Sequence, residues 1–172
     1  MAEDNAIGRG GMRPWDMPAD MKRFRELTIG KCVIMGRRTQ ETLLGPLDER
    51  INIVLTSDEN YEVDGFIPAY SPRQAVSIAY MFTQQHTPWQ IKHQTHWKPE
   101  IMVMGGEDVY NSFLPWASKM YLTKIYAHLD DADTFFPETN YLEWQLENME
   151  RYMNDQDNPY MYDFFTFVRR NK

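Results

Sequence analysis

Several short stretches place reactive side chains at spacings that could do chemistry. In RPWDMPADMKRF, residues 13–24, a Trp and two Pro precede Asp20. Met17, Met21, Phe24 and Leu27 recur at helical spacing, and Asp20 shares part of their apolar face. A carboxyl group there resists ionisation, so it could bind a cationic or amidine-like ring and manage a proton. The plainer alternative is an acid in the first turn of a helix, favoured by the macrodipole. GRRT, residues 36–39, follows an apolar run with a Gly turn and two Arg, Arg37 and Arg38. Free N–H groups and guanidinium groups together make an anion site, phosphate above all, although two solvated Arg would look the same. MGGEDVY, residues 104–110, repeats the strand, glycine, helix order, so its backbone could approach a pyrophosphate. It lacks the full GxGxxG pattern and also fits a tight turn. Thr56 and Ser57 could add hydroxyls for a phosphate or simply turn the chain. Arg50 could meet a carboxylate or lie at the surface. His86, His93 and His96 match no strong zinc spacing, and no metal site is expected.

These groups need rigid elements behind them. A helix is predicted from about Pro18, with Asp16 as N-cap and Met17, Met21, Phe24 and Leu27 buried. Cys32–Met35, INIVLT (residues 51–56), a weaker FIPAY and IMVM (residues 101–104) read as buried strands. A short helix is expected from about Arg38 to Leu44, one from Pro72, and one over EDVYNSFL. MYLTKIYA is a further strand. Residues 144–152 and 160–169 form a terminal hairpin pair. The glycine-rich start, AEDNAIGRGGMRPW, reads as a mobile loop. The expected class is therefore α/β, with a mostly parallel central sheet flanked by helices and a C-terminal antiparallel hairpin. Residues 1–172 form a single domain in this reading, and 83–99 are an atypical polar insert.

Composition narrows the functions. The chain has 172 residues, is 42% hydrophobic and carries a net charge of -7. That predicts a globular protein and argues against nucleic-acid or membrane-surface partners. No run approaches the ~20 apolar residues of a membrane span. One Cys and no signal peptide point to the cytoplasm.

In order, IGRGGMRPWDMPADMKRF, GKCVIMGRRTQETL, PLDERINIVLTS, EIMVMGGEDVYNSFLP, MYLTKIYA and DTFFP resemble the dihydrofolate reductase family over nearly the whole chain, residues 83–99 and some loops excepted. The resemblance implies an oxidoreductase of tetrahydrofolate biosynthesis and one-carbon metabolism, and a target of antifolates. It would reduce dihydrofolate with NADPH, by hydride transfer to pterin C6 and protonation at N5. Asp20 would bond the pterin, with Trp15 reaching it through ordered water and Thr123 hydrogen-bonding both. Met21, Phe24, Leu43, Leu47, Met104 and Tyr110 would line the substrate, and Arg50 would take its glutamate carboxylate. For NADPH, the resemblance implies Ile7, Gly8, Arg37, Arg38, Thr39, Thr56, Ser57, Gly105, Gly106, Glu107, Asp108 and Val109. Arg37 and Ser57 would select the 2′-phosphate, and residues 7–13 would close over the nicotinamide. A monomer is expected.

The sequence departs from the pattern at two places besides the insert. Arg13 precedes Pro14-Trp15, where the family usually carries an apolar residue. The family's first central strand has no counterpart, since Met1-Ala2 falls at its end. The expected explanation is a true start upstream of Met1; otherwise another segment or chain fills the slot, or the protein is a catalytically impaired folate- or NADPH-binding or structural relative. A pyrimidine reductase of riboflavin synthesis shares the fold, but PWxxPxD speaks against it.

Overall fold

The computed structural model describes residues 1–84 and 100–170. The insert expected at 83–99, with His86, His93 and His96, therefore lies almost wholly outside the described residues. The chain divides into two compact units: Met1–Arg23 with Phe113–Lys172, and Phe24–Ser112.

The Phe24–Ser112 unit is built on β2 (Cys32–Gly36), β3 (Ile51–Leu55), β4 (Phe66–Ala69) and β5 (Ile101–Gly105), with β1 in the other unit. They form one parallel sheet in the order β4-β3-β2-β5. A parallel sheet must be covered on both faces, and the apolar runs provide for that. Val33, Met35 and Val54 point into one core with Tyr61 and Phe66, against which Leu43, Leu47, Met102 and Met104 pack. Cys32 and Ile34 alternate to the opposite side. There the Cys32 thiol lies 3.5 Å from the Ala79 carbonyl of α3 (Pro72–Gln84). Burial pushes that thiol up to about 11, so it is a structural cysteine at neutral pH. Residues 101–104 are half-exposed rather than buried, because β5 pairs only with β2 among the described residues.

The other unit carries an antiparallel sheet in the order β6-β9-β8, from Lys119–Ile125, Tyr162–Arg169 and Trp144–Tyr152. MYLTKI thus joins the terminal hairpin instead of the parallel sheet. Met17, Ile125 and Tyr162 form its core, with Trp15, Ala19, Ala127 and Phe164 packed around them. Met1 lies beside β6: its nitrogen donates to Thr123 O at 2.6 Å, and Ile125 N–H donates to Met1 O at 2.9 Å. This is a parallel-type exchange, at the place where the resemblance puts the end of the family's first strand.

The glycine-rich start is not a mobile loop but a pinned hairpin. β1 (Ala6–Gly8) pairs antiparallel with β7 (Thr134–Phe135). Arg9 and Met12 exchange both backbone hydrogen bonds, at 2.9 and 3.1 Å. Gly10 and Gly11 between them have φ of 58° and 77°, which a type I′ hairpin requires and only glycine adopts freely. Asp133 Oδ2 accepts from Gly10 N–H at 2.7 Å, and Arg9 pairs with Asp131 at 3.0 Å.

Helix α1, Pro18–Thr28, starts where the proline predicted. Met17 O accepts from the amides of Asp20 and Met21, so Met17 stands at the cap position in place of Asp16. The cap itself comes from far along the chain: Asn158 Oδ1 accepts from Ala19 N–H at 3.0 Å. Met21 is 41% exposed, against the expectation of a buried face, whereas Met17 is fully buried. Helix α2 is shorter than expected, Arg37–Glu41, and ends before the fully exposed Leu44. Helix α4 spans Glu107–Phe113.

Candidate functional site

The acid lies in the unit holding Met1–Arg23. Asp20 occupies the first turn of α1, and its side chain is 22% exposed. Arg13 Nη1 lies 3.7 Å from Asp20 Oδ2. One turn on, at i+3, Arg23 shares Asp20's side of the helix. Its Nη1 donates to Leu122 O at 2.9 Å and to Thr123 Oγ1 at 3.3 Å, and its Nη2 donates to Phe165 O at 2.9 Å. The guanidinium also stacks on the Phe164 ring at 4.4 Å. Burial pushes Arg23 downward and Asp20's charge opposes this, yet an arginine so bonded stays charged. The Thr123 hydroxyl accepts from Arg23, and the Thr123–Asp20 bond implied by the resemblance is not made. The Trp15 indole nitrogen is buried and has no hydrogen-bond partner among the described residues.

The anion-binding features lie in the other unit. Gly36 precedes α2 in an extended conformation, with no side chain capping the helix. A Cβ at Gly36 would come 3.1 Å from Val109. Gly105 has φ of 101°, and a Cβ there would meet the Tyr110 ring at 2.7 Å. The Gly105–Gly106 peptide is cis. Gly106 faces the Thr39 hydroxyl, 3.6 Å from where its Cβ would be. Only glycine fits at 105, and strand β5 delivers its backbone into a turn next to Thr39. Glu107 and Asp108 fill the first turn of α4, where acids suit the dipole. An anion held here must therefore be met by backbone N–H groups.

Arg37 and Arg38 are exposed. Arg37 pairs loosely with Glu41 at 3.4 Å and Asp58 at 3.6 Å. Thr56 is buried, and its hydroxyl accepts from Asp58 N–H at 3.1 Å, while Ser57 is exposed. Arg50 is set by its neighbours: Nε donates to Asp48 O at 2.9 Å and Nη1 to Thr28 Oγ1 at 3.0 Å. Buried Asn52 holds the preceding turn by bonds to both the N–H and the C=O of Leu47.

Residues 1–169 match the family described as dihydrofolate reductase. The chain belongs to the dihydrofolate reductase family. A dihydrofolate reductase of Haemophilus influenzae is 39% identical over 167 residues, 97% of this chain and 93% of the relative. One of Bacillus subtilis is 32% identical over 171 residues, 99% and 92% of the two chains. Among solved structures, dihydrofolate reductase from Enterococcus faecalis complexed with NADP(H) and RAB-propyl superposes with a TM-score of 0.84. It is 28% identical, over 99% of this chain and 93% of the other.

In this chain, the expected residues separate by unit. Trp15, Asp20, Met21 and Thr123 belong to one, with Ile7 and Gly8 in its first strand. Phe24, Leu43, Leu47, Arg50, Met104 and Tyr110 belong to the other, as do Arg37, Arg38, Thr39, Thr56, Ser57 and the Gly105–Val109 turn. Sequence reasoning missed Arg23 and Asn158. Arg23 sits in a KRF triplet that reads as a solvated face, and its only signal was the i+3 spacing from Asp20. Asn158 lies in the NDQDNP turn, whose Asp155 and Asn158 mark it as a capping turn without saying what it caps. No group of three or more His, Cys, Asp or Glu suited to a metal occurs among the described residues.

Proposed function

We infer that this chain is a dihydrofolate reductase, transferring a hydride from NADPH to C6 of 7,8-dihydrofolate with protonation at N5. The observation that carries the inference is the match to the family over residues 1–169, with the PWDMPAD acid held in α1. Family membership over that length favours the working enzyme over the catalytically impaired alternative.

The side-chain roles follow from what each group offers. Asp20 accepts hydrogen bonds from the pterin's amino and ring N–H groups. It is also the acid through which a proton reaches the N5 side. Thr123 is fixed by Arg23, which leaves its hydroxyl proton able to turn toward carboxylate or pterin. The buried Trp15 N–H suits a water or ligand acceptor on the way to that acid. Met21, already 41% exposed, is apolar surface that a flat ring would cover. Phe24, Leu43, Leu47, Met104 and Tyr110 complete the apolar lining, and Arg50 takes the glutamate carboxylate.

The glycine turn fits the cofactor, because Gly36 and Gly105 leave backbone where a Cβ would press on Val109 or the Tyr110 ring. Gly105, Gly106 and the amides at Glu107, Asp108 and Val109 hold the pyrophosphate with Arg38 and Thr39. Thr56 shapes the turn that presents Ser57, and Arg37 with Ser57 takes the 2′-phosphate. Ile7 and Gly8 border the nicotinamide. NADPH supplies the hydride when bound, and the protein orients the rings and excludes water.

We place all this in one domain that acts as a cytoplasmic monomer. The single thiol, which has no second cysteine to pair with, supports the location. No helix among the described residues is long and apolar enough to cross a membrane. Steady-state oxidation of NADPH, with and without dihydrofolate, tests the activity. Asp20→Asn is expected to bind NADPH like the native chain and to lose most turnover at neutral pH. Native turnover in that variant would remove Asp20 from the mechanism.

A further inference from the structure

Asp20 lies between two guanidinium groups, those of Arg23 and Arg13, that differ in how firmly they are held. Arg23 is tied to two backbone carbonyls and the Thr123 hydroxyl and cannot leave. Arg13 is different. It is 50% exposed, and Asp20 is its one ion-pair partner among the described residues, at 3.7 Å. It is a movable cation on the solvent side of the acid.

We propose that Arg13 is a specificity-determining residue that makes Asp20 discriminate against cationic ligands in favour of neutral ones. This rests on the reading of Asp20 as the ring-binding acid. A protonated amidine-like ring must compete with the guanidinium for one carboxylate, or sit beside it and bear like-charge repulsion. A neutral ring offers donors only. Ionised Asp20 has about four lone-pair sites, so it can accept from that ring while Arg13 stays. Arg13 is half in water, so the effect is modest and screened by salt: about fivefold in affinity.

The test titrates two ligands into the native chain, Arg13→Gln, Arg13→Lys and Asp20→Asn. One ligand is 2,4-diaminopyrimidine, at a pH where it carries a proton; the other is dihydrofolate. Arg13→Gln is expected to bind the cation about fivefold more tightly and dihydrofolate within about twofold of native. Arg13→Lys, which keeps the charge, should stay near native, and high salt should erase the difference. Unchanged cation affinity in Arg13→Gln, or equal shifts for both ligands, overturns the proposal. The two ways of failing are distinct. If Asp20→Asn weakens both ligands while Arg13→Gln changes neither, only the role of Arg13 falls. If Asp20→Asn weakens neither, the reading of Asp20 falls and takes the proposal with it.

Discussion

The first turn of α1 carries Asp20, yet a side chain remote in sequence closes that turn. Asn158 is 6% exposed, accepts from Ala19 N–H at 3.0 Å, and anchors its own amide on Asp155 at 3.0 and 3.1 Å. Asn158→Ala removes the acceptor and leaves the Ala19 N–H without its cap. Loss of an N-cap costs about 0.5–2 kcal/mol, and a buried donor left unpaired about 1–3 kcal/mol. Both figures describe the same N–H, so they are not summed, and about 2 kcal/mol is expected. In a chain of this length, 1 kcal/mol moves Tm by about 2–4 °C. Asn158→Ala should therefore melt about 4–8 °C lower when followed by circular dichroism. Well below that melting point, kcat/KM should still fall, because the frayed turn is the one that aims Asp20. Asn158→Asp keeps the acceptor but sets a second carboxylate against Asp155, so it should not restore the native melting point. A melting point within about 1 °C of native in Asn158→Ala would refute the capping argument.

Other consequences follow from single contacts. Asp133 is held below the ordinary carboxylate range by the Gly10 N–H and then by the Thr134 hydroxyl. A depressed acid stabilises the fold above its unfolded value and loses that contribution as pH falls through the folded one. The hairpin anchor should thus be intact at neutral pH and released only under acid, and Asp133→Asn should mimic release. Exchange of the Gly10 amide, slow in the native chain and fast in the variant, reads this, and equal rates would contradict it. Gly105→Ala would force a Cβ to within 2.7 Å of the Tyr110 ring at a positive φ. It should weaken NADPH at least tenfold, a loss of about 1.4 kcal/mol in binding free energy, and calorimetry with unchanged affinity would show the turn is not close to the cofactor. Arg37→Ala should weaken NADPH far more than NADH in the same titration, and equal losses would remove the 2′-phosphate role.

Much of this arrangement was legible because its signals are local. Pro18 fixed the start of α1, the CVIM and INIVL runs fixed the parallel strands, and the paired glycines marked the turn after β5. The order of the motifs then placed Asp20 and the Gly105–Gly106 turn together in one family. What stayed hidden depends on contacts between distant residues. The cap on α1 comes from Asn158, 139 positions beyond Ala19. The burial of Arg23 depends on carbonyls of β6 and β9, which no helical periodicity reports. Gly10 and Gly11 could equally serve an open loop or a type I′ turn, and the backbone bonds between Arg9 and Met12 decide between them. Met21 was expected in the buried face and is 41% exposed, because helical spacing reports which side of α1 it lies on and not how fully that side is covered.

The central claim is hydride transfer to the pterin, and the most direct measurement follows the hydride itself. NADPH carrying deuterium at the transferred C4 position is incubated with dihydrofolate and this chain, and the product is read by NMR. The account predicts tetrahydrofolate with the label at C6, one for each NADPH consumed, and far less of it from Asp20→Asn over the same time. A folded chain that binds both ligands but yields no C6-labelled product would contradict it.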